Sequence, residues 1–136
     1  GALLEQALRC RPFLIKPNRE ELAQAVGRAV NTEAETEQAA RELQARGARN
    51  VLVSCGGDGA LLLEESGAVH CAAAPRGTVV NSVGAGDSML AGFVAGWLQS
   101  GSFTSALRLG IACGSATAFS LGLAGRSQID ALLAQI

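Results

Sequence analysis

The chain has 136 residues, 49% of them apolar, with 11 basic and 12 acidic side chains and a net charge of −1. That length supports one domain with a real core and is too short for two ordinary ones. The balanced charge, the single Trp and the absence of Tyr give no electrostatic footprint for nucleic acid or a membrane surface, and no base-stacking platform.

Residues 2–10 repeat apolar side chains at helical spacing through Ala2, Leu3, Ala7 and Leu8, so the chain opens on a helix already in progress. No Met precedes Gly1, and the segment reads as a piece of a longer protein. "RPFLI" (11–15) is a short apolar run consistent with a buried strand, and "KPN" stops it, because Pro17 lacks a donor and biases Lys16 towards extended geometry. Asn18 is a good N-cap for the helix "REELAQAVG". Thr32 caps a second helix from Glu33 to about Arg46, with acids in its first turn and Gly47 past its end.

The period then changes. Val51, Leu52 and Val53 form a β-prone run, Gly56, Gly57 and Gly59 a tight turn with Asp58 at its tip, and "ALLLEE" a second strand. "AVHCAAA" (68–74) follows the turn Ser66-Gly67, which suggests a local antiparallel meander. "GTVVNSV" leads into a helix running to about Leu98 and broken by Ser100-Gly101-Ser102. Another runs from Thr104 to about Leu121, and a short one begins near Ser127. Gly92 and Gly96 share one face of the first of these helices and Gly110 and Gly114 one face of the next, which lets helices pack closely. This alternation argues for a layered α/β domain.

Four cysteines, at 10, 55, 71 and 113, form no CxxC, and His70 is the sole histidine, so a zinc site is not expected. Cys10, Cys55 and Cys113 sit beside apolar residues as buried free thiols do, which suggests a reducing, cytoplasmic setting. No apolar run reaches membrane-spanning length and no signal peptide leads the chain. His70 reads as a structural residue.

One stretch carries chemistry. In "VVNSVGAGDSMLAGF" (79–93), Gly84, Ala85, Gly86 and Asp87 fall at the mouth of a helix. A helix N-terminus leaves backbone N–H groups unpaired and carries partial positive charge, and glycines let an anion come close to them. A carboxylate beside such a cradle can accept a proton from an attacking hydroxyl while the amides stabilise charge on a phosphoryl group. Asp87 could equally be a first-turn acid that only stabilises its helix, by about 1 kcal/mol. No Gly-Lys-Ser/Thr follows, so this is not a Walker-type P-loop. Asn18 and Glu21 have capping-box spacing, and Gly56–Gly59 reads on its own as a hairpin turn.

"NSVGAGDSMLAGF" resembles the signature of the ribokinase (PfkB) family of carbohydrate kinases. With "LIKPNREEL" upstream it looks most like the 1-phosphofructokinase branch, the tagatose-6-phosphate kinases lying close beside it. The resemblance covers essentially residues 1–136. It implies the C-terminal portion of a ribokinase-like three-layer α/β/α fold, without the N-terminal half and its lid. It also implies roles. Asp87 is the catalytic base, and Gly84, Ala85 and Gly86 form the anion hole. Asn18 and Glu21 match the family's Asn-x-x-Glu pattern, which organises Mg²⁺ and phosphate, often through water, and Lys16 lies near the nucleotide phosphates. Ser54, Gly56 and Gly59 match its nucleotide loop, where Cys55 and Gly57 depart mildly from the family's aliphatic residue and alanine. The implied reaction is ATP-dependent phosphorylation of a sugar phosphate, fructose 1-phosphate to fructose 1,6-bisphosphate, in a protein that pairs as a homodimer. The 136 residues alone are expected to be inactive. The alternatives are a tagatose-6-phosphate kinase or another sugar kinase of the family, a non-catalytic nucleotide-binding module, and an α/β fragment with no ligand.

Overall fold

A computed structural model describes residues 2–75, 85–119 and 126–136. These fall into two compact units, residues 1–56 with 61–71, and residues 57–60 with 72–136.

The first unit is built from helices α1 (Ala2–Arg9), α2 (Arg19–Val26) and α3 (Glu33–Ala45) and a sheet of β1 (Leu14–Ile15), β2 (Asn50–Ser54), β3 (Ala60–Leu63) and β4 (Val69–Ala72), in which β3 and β4 run up to the unit's boundary. The sheet order is β1-β2-β3-β4. β1 and β2 pair in parallel, Leu14 opposite Asn50 and Ile15 opposite Val51. α2 and α3 supply the long crossover that a parallel pair requires. β2 to β3 and β3 to β4 are joined by residues 55–59 and 64–68, links that only antiparallel neighbours can close. The sheet is therefore mixed.

The strand expected over residues 11–15 is cut to two residues. Arg11 takes a positive φ of 51°, which bends the chain, and Pro12 has no N–H to give a ladder. Alternation in β2 and β3 sets the core. Val51, Val53, Leu61 and Leu63 belong to one cluster with Leu8, Leu22 and Leu43 of the helices. Leu52 and Leu62, one residue out of phase, are also wholly buried. The sheet thus reads as continuously apolar, as strands covered on both faces do. Asn50 is the buried exception, 1% exposed. Its Nδ2 donates to Phe13 O at 2.7 Å, and its Oδ1 accepts from Glu65 N–H at 2.8 Å. Both ends of the amide are satisfied, so its burial costs little.

Both predicted N-caps are present as full capping boxes, Asn18 with Glu21 and Thr32 with Glu35. α2 ends at Gly27 with φ 72°, the left-handed cap. α3 ends one residue earlier than expected, Arg46 being its C-cap. His70 pairs with Glu64 across the β3–β4 turn, a structural role as expected. Cys10 departs from expectation. It is exposed, while Cys55 and Cys113 are half-buried, because Cys10 falls in the turn after α1 between Arg9 and Arg11, with no apolar residue directly beside it.

The second unit holds α4 (Ala85–Ser100), α5 (Phe103–Ala118) and α6 (Arg126–Leu133). α4 and α5 form a hairpin around Gly101, whose φ is 67°. Ser102 caps α5, accepting from Ser105 N–H. Trp97 stacks on Phe103 at 4.2 Å beside the turn. The helix pair is close because of its glycines. A Cβ at Gly96 would sit 2.9 Å from Ala106 Cα, and one at Gly110 would sit 2.9 Å from the Met89 carbonyl oxygen. α6 packs Ile129, Leu132 and Leu133 against Ala112 and Ala116 of α5. α5 ends at Ala118 with Phe119 as its C-cap, short of the end expected near Leu121. No helix among the described residues is long and apolar enough to cross a membrane.

Candidate active site

In the first unit, residues far apart in sequence meet at the carboxyl ends of the parallel strands. The chain leaving β1 stays beside β2. Ser54 N–H donates to Pro17 O at 3.0 Å, and Asn18 bridges Ser54 in parallel. Asn18 and Ser54 are thereby brought side by side, where open parallel sheets bind ligands. Asn18 Oδ1 accepts from Glu21 N–H at 2.7 Å, and Glu21 Oε1 accepts from Asn18 N–H at 3.3 Å. The capping reading of this pair is thus met in full. Both residues remain exposed, so the box does not bury them away from a ligand. Lys16 has no ion-pair partner among the described residues. With Glu21 it borders a cavity of about 300 Å³ whose apolar wall includes Leu4, Ile15 and Leu43.

β2 runs into the glycine loop. Gly56 takes φ 56°, and Gly56–Asp58 form one 3-10 turn that is fully exposed. At Gly56 and Gly57 an added Cβ would meet nothing within 4 Å. The space on the side-chain side of this backbone is open. Gly59 is glycine for another reason. Its φ is 95°, and a Cβ would fall 1.9 Å from the Ala72 carbonyl oxygen. Its part is to let the loop press on the strand end; it offers no open face.

In the second unit, Ala85 begins α4, and Gly86 and Asp87 lie in its first turn. Ala85 and Gly86 are half-buried while Asp87 is exposed, so the carboxylate is presented outward. Gly84, the remaining member of the expected anion hole, lies outside the described residues. One feature of this turn had no sequence signal. Thr117, 5% exposed, donates to Ser88 Oγ at 2.8 Å, and a separation of 29 residues corresponds to no local period.

Exposed glycines, the Ser54 hydroxyl, the Asn18 side chain and Lys16, which has no ion-pair partner among the described residues, are groups of the kind that can contact phosphate. The described residues include no group of three His, Cys, Asp or Glu able to hold a metal. A cation here would keep most of its waters, with Glu21 and phosphate oxygens around it, which suits Mg²⁺ and does not suit a dehydrated metal cage.

The sequence matches the pfkB family carbohydrate kinase description over residues 3–129. The 1-phosphofructokinase of Bacillus subtilis is 43% identical over 136 residues, all of this chain and 45% of that protein. The D-tagatose-1-phosphate kinase of Bacillus licheniformis is 44% identical over 135 residues, 98% of this chain and 44% of that protein. Its name carries the 1-phosphate, whereas the sequence resemblance pointed to tagatose 6-phosphate. A crystal structure from Staphylococcus aureus, provisionally described as a phosphofructokinase, is 41% identical. It superposes with a TM-score of 0.93 over 99% of this chain and 44% of that one. The fold is thus ribokinase-like α/β, and the chain spans a little under half the length of the relatives it matches. Taken together, the Gly-Ala-Gly-Asp sequence leading into α4, the glycine loop after β2 and these matches make the chain a member of the pfkB family of carbohydrate kinases.

Proposed function

We propose that the full-length protein carrying these residues transfers the γ-phosphoryl group of ATP to the 6-hydroxyl of a ketohexose 1-phosphate, fructose 1-phosphate foremost. The products are ADP and fructose 1,6-bisphosphate. The observation that carries this is Asp87, exposed in the first turn of α4 directly behind Gly86. An acid that served only the helix dipole would need no glycine beside it. In this reading Asp87 accepts the proton of the 6-hydroxyl as that oxygen bonds to phosphorus and the bond to the ADP oxygen breaks. The amides of Gly84, Ala85 and Gly86 stabilise the charge on the phosphoryl oxygens. Ser54, Gly56 and Gly59 shape the nucleotide loop, with Lys16 and Asn18 near its phosphates. Asn18 and Glu21 would hold Mg²⁺ through water, and the ion would supply charge to offset the phosphates.

The substrate class is supported by the names of the two curated relatives, both of which specify a 1-phosphate. Fructose and tagatose 1-phosphates share the free 6-hydroxyl and differ at C4. The D-tagatose-1-phosphate kinase match at 44% identity makes tagatose 1-phosphate the second reading. A cytoplasmic location, where ATP and reduced thiols are found, and a homodimer belong to the same reading.

The test is Asp87→Asn in the full-length protein, with ADP release followed over a panel of ketohexose phosphates. A general base contributes about 10²–10⁴-fold, so kcat falls by that factor while ATP binding persists. An unchanged kcat rejects Asp87 as the base. ATP binding with no transfer by the wild-type protein to any acceptor would instead favour a non-catalytic nucleotide module.

A further inference from the structure

The first turn of α4 is intrinsically loose, because Gly86 within it has more backbone freedom to lose than any other residue type. Yet a base must be held within a fraction of an ångström of its hydroxyl. What fixes this turn is α5. A Cβ at Gly114 would lie 3.0 Å from the Ala85 carbonyl oxygen and 3.2 Å from Met89 Cβ, so the backbone of α5 lies directly on the start of α4. One turn further along α5, Thr117 Oγ1 donates to Ser88 Oγ at 2.8 Å. Residues 85, 88 and 89 are thus gripped from one side, and Asp87 projects from the other, exposed side.

A threonine inside a helix ordinarily turns its hydroxyl back to the carbonyl four residues earlier. Thr36 does so here, bonding Thr32 O at 2.8 Å. Thr117 instead spends its hydroxyl across the helix interface, on the residue next to Asp87. Thr117 is 5% exposed, so water does not compete for the bond and its geometry is retained.

We propose that Thr117, acting through Ser88, is a positioning residue for the phosphoryl transfer: it fixes the rotation of the first turn of α4 and so the aim of the Asp87 carboxylate. This depends on the reading of Asp87 as the proton acceptor. Thr117 touches neither substrate nor nucleotide in this assignment, so its loss lowers kcat and leaves binding intact.

The experiment is steady-state kinetics on the full-length protein with Thr117→Val, Thr117→Ser, Ser88→Ala, the Ser88→Ala/Thr117→Val double variant and Asp87→Asn. Thr117→Val keeps the shape and loses the hydroxyl. Its kcat falls by about tenfold, as a misaimed group requires, with KM for both substrates within about twofold of wild type. Thr117→Ser restores kcat to within about twofold. The double variant is no worse than the poorer single one, because both remove the same bond. If Thr117→Val does not fold, Ser88→Ala removes the acceptor alone and gives the same reading. A merely structural bond would show as lowered thermal stability with kcat per folded molecule unchanged in both single variants, and that result overturns the proposal, as would additive losses in the double variant. An inactive Asp87→Asn beside fully active Thr117→Val and Ser88→Ala sinks the positioning role alone. Full activity in Asp87→Asn removes the premise of both.

Discussion

Individual side chains carry two tasks at once in this chain. Asn18 and Glu21 close a capping box and are also the residues the kinase reading places near phosphate and Mg²⁺. The two roles are compatible because a cap engages one face of each group and leaves both residues exposed. Their spacing was legible in the sequence, but their adjacency to Ser54 was not, since the bridge between Asn18 and Ser54 depends on β1 lying parallel to β2. Cys71 shows the opposite case, in which exposure misleads. Burial first and the Glu33 carboxylate second push its thiol up to about 11, and its Sγ lies 3.3 Å from Glu33 Oε1. At about pH 8 roughly one molecule in a thousand then carries the thiolate, the form that reacts. Cys71 should alkylate slowly with iodoacetamide, and Glu33→Gln should quicken it by lowering the thiol's pKa. Peptide mass mapping over time checks this, and equal rates in the two proteins contradict it.

At the scale of elements, the α4–α5 pair inverts an ordinary rule. Replacing a mid-helix glycine by alanine normally stabilises by about 1 kcal/mol. At Gly96 the new Cβ would meet Ala106 Cα at 2.9 Å, a backbone atom that cannot move aside. Overpacking of this kind costs about 1–3 kcal/mol. Gly96→Ala should therefore lower the thermal midpoint, and a raised midpoint would show that the helices separate freely. The capping box of α3 gives a second test. Thr32→Ala should cost about 1 kcal/mol by denaturant titration. The Glu35 carboxyl is held below its ordinary value by the Thr32 hydroxyl first, then by the Asn31 and Thr32 amides. A depressed carboxylate stabilises above its unfolded value, and that contribution is lost as pH falls through the folded one. Glu35→Gln should thus flatten part of the stability loss as pH falls from the ordinary carboxylate range through the lowered folded value. An unaltered acid limb would mean the box does not form in solution. The small-residue spacing of α4 and α5 was readable from Gly92, Gly96, Gly110 and Gly114. The shortness of β1 was not, because it depends on the positive φ at Arg11, a conformation that an arginine gives no sign of.

For the whole molecule, the decisive fact is extent. The chain aligns along all of its length with relatives more than twice as long. On the proposed reading, the nucleotide-loop and base residues are among its 136, and most sugar contacts and the lid would lie in the remainder. Closure over the substrate excludes water and completes sites of this kind. The 136-residue chain by itself should therefore show no turnover with ATP and fructose 1-phosphate in a coupled ADP assay. Turnover comparable to the full-length protein would show that these residues contain the complete site.

Sequence alone determined the local features: caps at Asn18 and Thr32, the glycine turn after β2, the close-packing glycine faces, and the GAGD signature with its family. Each of these is a short-range pattern, where a few residue types at fixed spacing allow only one or two backbone conformations. Tertiary structure decided what depends on contacts between distant residues. It set Ser54 beside Asn18, turned Asp87 outward, left Cys10 uncovered and joined Thr117 to Ser88. Such pairings follow from how strands and helices bury their apolar faces against one another, a collective outcome that no local spacing encodes.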